Sequence, residues 1–129
     1  MAIFDKSIAT KPTILLADDD RMTCILLSQK LTENHYDVTV VQNGLDALDM
    51  ARHNNYDYIV TDIMMPGVEG IEVISEIIEK YPETKIVAIS SDGLAGHSTL
   101  LTLAQTVGAS AALQKPVRPT TLIETLQSI

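Results

Sequence analysis

The sequence predicts a doubly wound α/β domain, a (βα)5 chain whose parallel five-stranded sheet, in order 2-1-3-4-5, lies between two layers of helices. Three observations carry that prediction. Short apolar runs rich in Val and Ile alternate with longer stretches of helical period. The short runs are almost continuously apolar, as strands are when crossover helices cover both faces of a parallel sheet. Right-handed crossovers then distribute the helices over the two faces and leave a switch point between the first and third strands, where such sheets bind ligands.

Thr13 to Ala17 is the first strand, and Arg21 to Glu33 the first helix. Val38 to Val41 and Gly44 to His53 form the second pair, with Leu45, Leu48 and Ala51 at a helical spacing that turns them toward a core. Tyr58 to Thr61 is the third strand, closed by the turn residues Pro66-Gly67. The third helix runs from Val68 to Lys80 with Ile74, Ile77 and Ile78 inward, and Pro82 ends it. Lys85 to Ser90 and Ser98 to Val107 follow, with Gly108 suited to a helix end. Ala111 to Gln114 is the last strand. Pro119 to Ile129 is the last helix, its proline in the first turn where a missing N–H costs nothing.

A length of 129 residues suits one domain: residues 1–11 read as a loose lead-in and 12–129 as the folded unit. Hydrophobic residues make up 46% and charged ones 20%, a globular composition. No apolar run approaches the ~20 residues of a membrane span, so no membrane insertion is expected. The opening residues lack a secretory pattern and the single Cys24 forms no internal disulfide, so a cytoplasmic location is expected. A net charge of −8 argues against nucleic acid or an anionic membrane and in favour of protein partners.

Asp62 stands where the third strand meets its turn, and Asp18, Asp19 and Asp20 follow the first strand. Strands one and three being neighbours, Asp18, Asp19 and Asp62 converge. Like charges 4 Å apart repel by about 4 kcal/mol at an effective dielectric of 20, which a divalent cation relieves. All-oxygen ligands suit Mg²⁺, with Mn²⁺ as a chemical relative. His35, His53 and His97 are scattered and build no zinc site, and Asp20 reads as a cap for the first helix. Ser90 at the end of the fourth strand and Lys115 after the fifth reach the same rim. Metal, ammonium, hydroxyl and a carboxylate nucleophile together form a site for phosphoryl chemistry.

The runs Leu16-Ala17-Asp18-Asp19-Asp20, Val60-Thr61-Asp62-Ile63-Met64-Met65-Pro66-Gly67, Ile89-Ser90-Ser91 and Gln114-Lys115-Pro116, in this order, resemble the response-regulator receiver domain, the CheY-like family of two-component signalling. The resemblance spans about Thr13 to Ile129 and implies a flavodoxin/CheY-like three-layer sandwich. It implies that Asp62 is the phosphoacceptor. Asp19 would bind Mg²⁺ directly, Asp18 largely through water, and the backbone carbonyl of Met64 would add a ligand. Ser90 and Lys115 would contact the phosphoryl group, with a Lys115-Pro116 bond that is often cis, and Asn43 to Leu48 resembles the family's start of the second helix.

The donor expected from this resemblance is a sensor histidine kinase or a histidine phosphotransfer protein, met by Arg21 to Leu27 of the first helix; an unidentified downstream protein reads the signal. Such a chain is no ordinary enzyme, catalysing at most its own phosphorylation and dephosphorylation. Taken as it stands, it reads as a stand-alone receiver. Two departures from the family pattern concern the output: Ala112 stands where Tyr or Phe is usual, and Val117 replaces an aromatic. The Asp92 to Gly96 run, with two glycines, is expected to make the fourth-helix face the mobile one. Met64 and Asp92 flank the path of hydrolytic water and are expected to modulate the lifetime of the acyl phosphate. Glu69, Glu72, Glu76 and Glu79 form an acidic stripe read as the solvated face of the third helix or else a docking surface for a basic partner, and Cys24, Met22 and Leu26 are read as packing against the sheet or a partner helix rather than as redox groups.

Two other readings compete. A haloacid-dehalogenase-type phosphatase would need Asp18-Asp19-Asp20-Arg21-Met22 as its Asp-x-Asp-x-Thr motif, and Met22 fails at the last place. A receiver-fold scaffold that works without phosphorylation is opposed by the intact Asp18, Asp19, Asp62 and Lys115.

Overall fold

The computed structural model describes residues 10–65, 70–91 and 99–129. Five parallel strands pair in the order β2-β1-β3-β4-β5. In chain order the elements are β1 (Thr13–Ala17), α1 (Arg21–Glu33), β2 (Asp37–Val41), α2 (Gly44–His53), β3 (Tyr58–Asp62), α3 (Gly70–Lys80), β4 (Lys85–Ser90), α4 (Thr99–Val107), β5 (Ala111–Gln114) and α5 (Pro119–Ser128). The fold class and order are those the sequence predicts.

Alternate residues along each strand face opposite layers, and the core divides accordingly. Leu15, Ala17, Ile59, Ile86 and Ala88 pack toward Ala47, Leu48 and Ala51 of α2, Val73, Ile74 and Ile77 of α3, and Ala104 of α4. Ile14, Leu16, Val60, Val87 and Ile89 face the other way, toward Leu27 and Leu31 of α1 and Leu122, Ile123 and Leu126 of α5. Each fully buried Leu or Ile contributes about 1.5 to 3 kcal/mol, so the three central strands anchor the sheet. Their apolar continuity follows from burial on both faces. The outer strands differ: Val40 of β2 is 39% exposed, and β5 is only half-buried.

The inward stripe of α2 differs from the expectation in one residue. Leu45 is 61% exposed, whereas Gly44, Ala47, Leu48 and Ala51 are buried. Asn43 fixes the helix start by accepting a hydrogen bond from the Asp46 N–H at 2.8 Å, and that start sets an i, i+3, i+4, i+7 stripe beginning at Gly44. Gly108 ends α4 with φ of +119°, the left-handed backbone that glycine adopts without strain. Of the sequence expectations, the Pro66-Gly67 turn, Val68, Glu69, the Asp92 to Gly96 run, His97 and Ser98 lie outside the described residues.

The register places the strand ends of interest side by side. Ala17 pairs with Thr61, Asp62 with Ile89, and Ser90 with Gln114. One rim of the sheet therefore carries the residues that follow β1, β3, β4 and β5.

Candidate functional site

Asp18 begins the loop after β1 and is fully buried. Its N–H donates to the Val41 carbonyl at 3.1 Å, its carbonyl accepts from the Cys24 thiol at 3.1 Å, and its Oδ1 accepts from the Asp20 N–H at 2.8 Å. The main chain thus turns sharply at the strand end. Asp20 caps α1, accepting from the Met22 N–H at 3.2 Å and the Thr23 hydroxyl at 2.7 Å. Asp19, between them, is exposed and faces the mouth of the site, one of its carboxylate oxygens lying within 4.8 Å of one each from Asp18 and Asp62.

Asp62 closes β3 and is 4% exposed. Its Oδ1 accepts from the Met64 N–H at 2.8 Å, which fixes the tight turn after the strand. Its Oδ2 accepts from Lys115 Nζ at 2.7 Å. The same ammonium lies 3.1 Å from Asp18 Oδ1 and 2.8 Å from Asp18 Oδ2. The shorter approach is out of alignment for a hydrogen bond, so Asp18 Oδ2 is buried without one. Burial is also the chief reason that the Asp18 carboxyl titrates above its ordinary range, with the Asp62 charge adding to the shift and Lys115 opposing it. Burial alone would lower Lys115; its hydrogen bonds and charge attraction to Asp18 and Asp62 outweigh that and hold it charged above its usual range.

Ser90 is fully buried at the end of β4, and its carbonyl accepts from the Lys115 N–H at 2.8 Å. That bond ties the lysine to the rim, and the Lys115-Pro116 peptide is cis. The structure thus brings Asp18, Asp19, Asp62, Ser90 and Lys115 to one rim, as the sequence predicts. Met64, whose N–H donates to Asp62 Oδ1, is 55% exposed. Asp92 lies outside the described residues. Ala112 pairs with Ala88 and packs, half-buried, against the core layer formed by α2, α3 and α4.

The donor set fits a hard divalent cation. Three carboxylates supply one oxygen each within 4.8 Å, and a buried Asp18 oxygen has no hydrogen bond of its own. Magnesium requires hard oxygen ligands and tolerates several waters, which the exposed Asp19 side leaves room for. A cleft at the opposite end of the sheet, lined by Asn54, Tyr56, Asp57, Tyr81 and Thr84, lies far from this cluster. Asp57 there is committed to Thr13, accepting from its N–H at 2.8 Å and its hydroxyl at 3.2 Å.

Two contacts were not foreseen from the sequence. Arg52 of α2 makes a two-pronged pair with Glu76 of α3, both distances 2.8 Å, so one member of the acidic stripe is an interhelical clasp. Their separation of 24 positions hides it from any local pattern. Gly70 lies against the backbone that follows Asp62, and a lone glycine at a helix start gave no signal of that approach.

The family model described as the response regulator receiver domain matches residues 14–127. The chemotaxis protein CheY of Thermotoga maritima is 28% identical over 117 residues, covering 90% of this chain and 95% of that protein. Response regulator MprA of a Mycobacterium species is 35% identical over 78 residues, 60% of this chain, and the chain matches only 34% of MprA's length. Among solved structures, the chemotaxis response regulator CheY4 of Vibrio cholerae superposes with a TM-score of 0.83 at 28% identity, covering 92% of this chain and 98% of that one. The receiver domain of the Francisella response regulator 1452 gives 0.81 at 30% identity, covering 91% and 94%.

Proposed function

The chain belongs to the response regulator receiver family of two-component signalling, and on that premise we propose that Asp62 accepts a phosphoryl group from the phosphohistidine of a sensor histidine kinase or a histidine phosphotransfer protein. The observation that carries this reading is Lys115 Nζ at 2.7 Å from Asp62 Oδ2, with Asp18 and Asp19 beside it. A nucleophilic carboxylate at a strand end with a lysine and two acidic neighbours at that range suits phosphoryl transfer, where developing oxygen charge must be neutralised.

An oxygen of Asp62 attacks phosphorus; the new P–O bond forms as the P–N bond to imidazole breaks, and the leaving nitrogen takes the electron pair and then a solvent proton. The attacking oxygen is already ionised, so no general base is required. The Met64 N–H and Lys115 fix the carboxylate and limit the geometries from which it attacks. Lys115 then transfers its hydrogen bond to a phosphoryl oxygen, and the Ser90 hydroxyl donates to another. Asp18, Asp19, Asp62 and the backbone carbonyl of Met64 would hold Mg²⁺, which when bound neutralises charge on the phosphoryl oxygens.

Drawing Ser90 and Lys115 toward the new charge biases β4, α4 and β5 toward a second arrangement that a downstream protein reads. Ala112 provides no aromatic side chain for that change, so the signal leaves through small aliphatic surface or through onward transfer of the phosphoryl group. The exposed Met22, Ile25 and Leu26 of α1 suit the helices of the phosphodonor. A net charge of −8 supports protein rather than nucleic-acid contacts for this domain. A cytoplasmic setting belongs to the same proposal; among the described residues no helix is long and apolar enough to cross a membrane.

Intact-mass measurement after incubation with acetyl phosphate and Mg²⁺ tests the reading. Wild type should gain one phosphoryl adduct and Asp62→Asn none. An adduct on both proteins, or on neither, would remove the role assigned to Asp62.

A further inference from the structure

Gly70 opens α3 with its Cα against the peptide that follows Asp62. A Cβ built there would lie 2.4 Å from Ile63 Cα, 2.7 Å from the Ile63 carbonyl oxygen and 2.8 Å from the Asp62 carbonyl oxygen. All three are backbone atoms, so no side-chain rotation relieves the contact. The Gly70 N–H donates to the same Ile63 carbonyl at 3.0 Å, so the helix start is also bonded to this peptide.

The next peptide carries the site. The Met64 N–H donates to Asp62 Oδ1 at 2.8 Å, and Ile63 is held from the other side by its N–H on the Ile89 carbonyl at 2.9 Å. The Asp62-Ile63-Met64 turn is therefore clamped between β4 and the first residue of α3. Because Gly70 has no positive φ, its requirement for glycine is steric and not conformational. Alanine is the better helix former, so a substitution judged by propensity alone would be favourable. The backbone contacts reverse that expectation.

We propose that Gly70 is a positioning residue for the phosphoacceptor: the missing side chain lets α3 seat on the Asp62-Ile63 peptide and so fixes the Asp62 carboxylate and the Met64 backbone. The inference rests on the assignment of Asp62 as phosphoacceptor only for its effect on reaction rate; the effect on the turn stands on geometry alone. A methyl group at position 70 displaces the turn from the helix or the helix from the turn, and either movement shifts Met64 relative to Asp62, Asp18 and Lys115.

The test compares wild type with Gly70→Ala by ¹H–¹⁵N spectroscopy without metal, by Mg²⁺ titration, and by phosphorylation with acetyl phosphate. The expected result is a native-like spectrum for most of the sheet, a large shift of the Met64 amide toward weaker hydrogen bonding, and at least tenfold losses in both Mg²⁺ affinity and phosphorylation rate. Glu72→Gly, which weakens the same helix start without adding a Cβ against Ile63, should leave the Met64 amide, Mg²⁺ affinity and rate within about twofold of wild type. A Met64 amide unchanged in Gly70→Ala, or equal losses in Glu72→Gly, would overturn the proposal. Should Gly70→Ala fail to fold, titration of wild type decides: the Gly70 amide must shift with the same Mg²⁺ dependence as the Met64 amide, and a stationary Gly70 amide would overturn the proposal. Wild type that neither binds Mg²⁺ nor gains a phosphoryl group would count against the proposed function, while the metal-free Met64 shift would still decide the role of Gly70.

Discussion

Lys115 brings its ammonium to 2.7 Å from Asp62 Oδ2 across 53 positions of sequence. The same nitrogen reaches Asp18, so one cation offsets two buried carboxylates delivered by different strands. Removing one partner of such a group leaves uncompensated charge behind, which costs more than the intact group contributes. Because 17% of the Lys115 side chain remains exposed, the cost falls at the lower end of the range for buried pairs.

Lys115→Met is expected to destabilise the metal-free protein by about 3 kcal/mol. The same variant should bind Mg²⁺ more tightly than wild type, because the divalent cation no longer faces an ammonium held by the same oxygens. Urea unfolding in chelator and in saturating Mg²⁺ checks both points. The gap between the two proteins should narrow with the metal, and an unchanged gap would contradict the electrostatic account.

Asp18 contributes one pH dependence of the metal-free protein. Burial raises its pKa above the ordinary 3.8, so the folded state binds this proton more tightly than the unfolded chain does. Its contribution to stability is therefore greatest at low pH and declines as pH rises from 3.8 through the raised folded value. Asp18→Asn cannot ionise and should gain on wild type as pH rises above 3.8 in chelator, while losing Mg²⁺ affinity at least tenfold. Chemical denaturation across that range gives the difference directly; parallel pH profiles for the two proteins would refute it.

Glu76 has the opposite sign. Its hydrogen bond from Arg52 is the main reason that its carboxyl lies below the ordinary 4.5, so its stabilisation is present above that value and is lost as pH falls through the depressed one. The pair joins α2 to α3, yet Arg52 is 49% exposed and the Glu76 side chain 21%. Solvent and salt screen such a pair, so Arg52→Ala should cost little at neutral pH and less at high salt. The loss should shrink toward zero in acid. Thermal unfolding at two pH values and two ionic strengths measures it, and a cost that persists in acid would assign Arg52 a packing role instead.

These contacts also mark what the sequence makes legible. β1, β3 and β4 were readable because burial on both faces leaves a continuous apolar signature, and the residues at their ends followed from the parallel order. Asp20 was separable from Asp18 because a capping aspartate directly before a helix start has its own local pattern. Leu45 misled because apolar character alone does not fix which face of a short helix turns inward; the Asn43 cap does. Ser90 reads from the sequence as a strand-end hydroxyl and lies buried there. The reach of Lys115, the Arg52–Glu76 clasp and the seat of Gly70 all join distant positions through three-dimensional packing. No periodicity within a segment encodes such distances.

On the proposed role of Asp62, Met64 offers a change that touches the lifetime of the acyl phosphate without touching the fold. Its N–H is held by Asp62 Oδ1 at 2.8 Å, so the backbone at this position is fixed whatever the side chain. The residue is 55% exposed two positions after Asp62, and its thioether offers water neither a hydrogen-bond donor nor a strong acceptor. An asparagine there supplies both, on a shorter stem beside the position of a phosphoryl group on Asp62. Oriented water attacks phosphorus more often than bulk water does, while an exposed amide cannot act as the strong base of an enclosed active site. Met64→Asn should therefore speed dephosphorylation severalfold and leave stability within about 0.5 kcal/mol of wild type, as surface substitutions generally do. Intact-mass measurement of the phosphorylated fraction over time, after removal of acetyl phosphate, gives the decay constants. Identical decay curves would refute the prediction, and faster decay accompanied by a fall in melting temperature would trace the effect to the fold rather than to water.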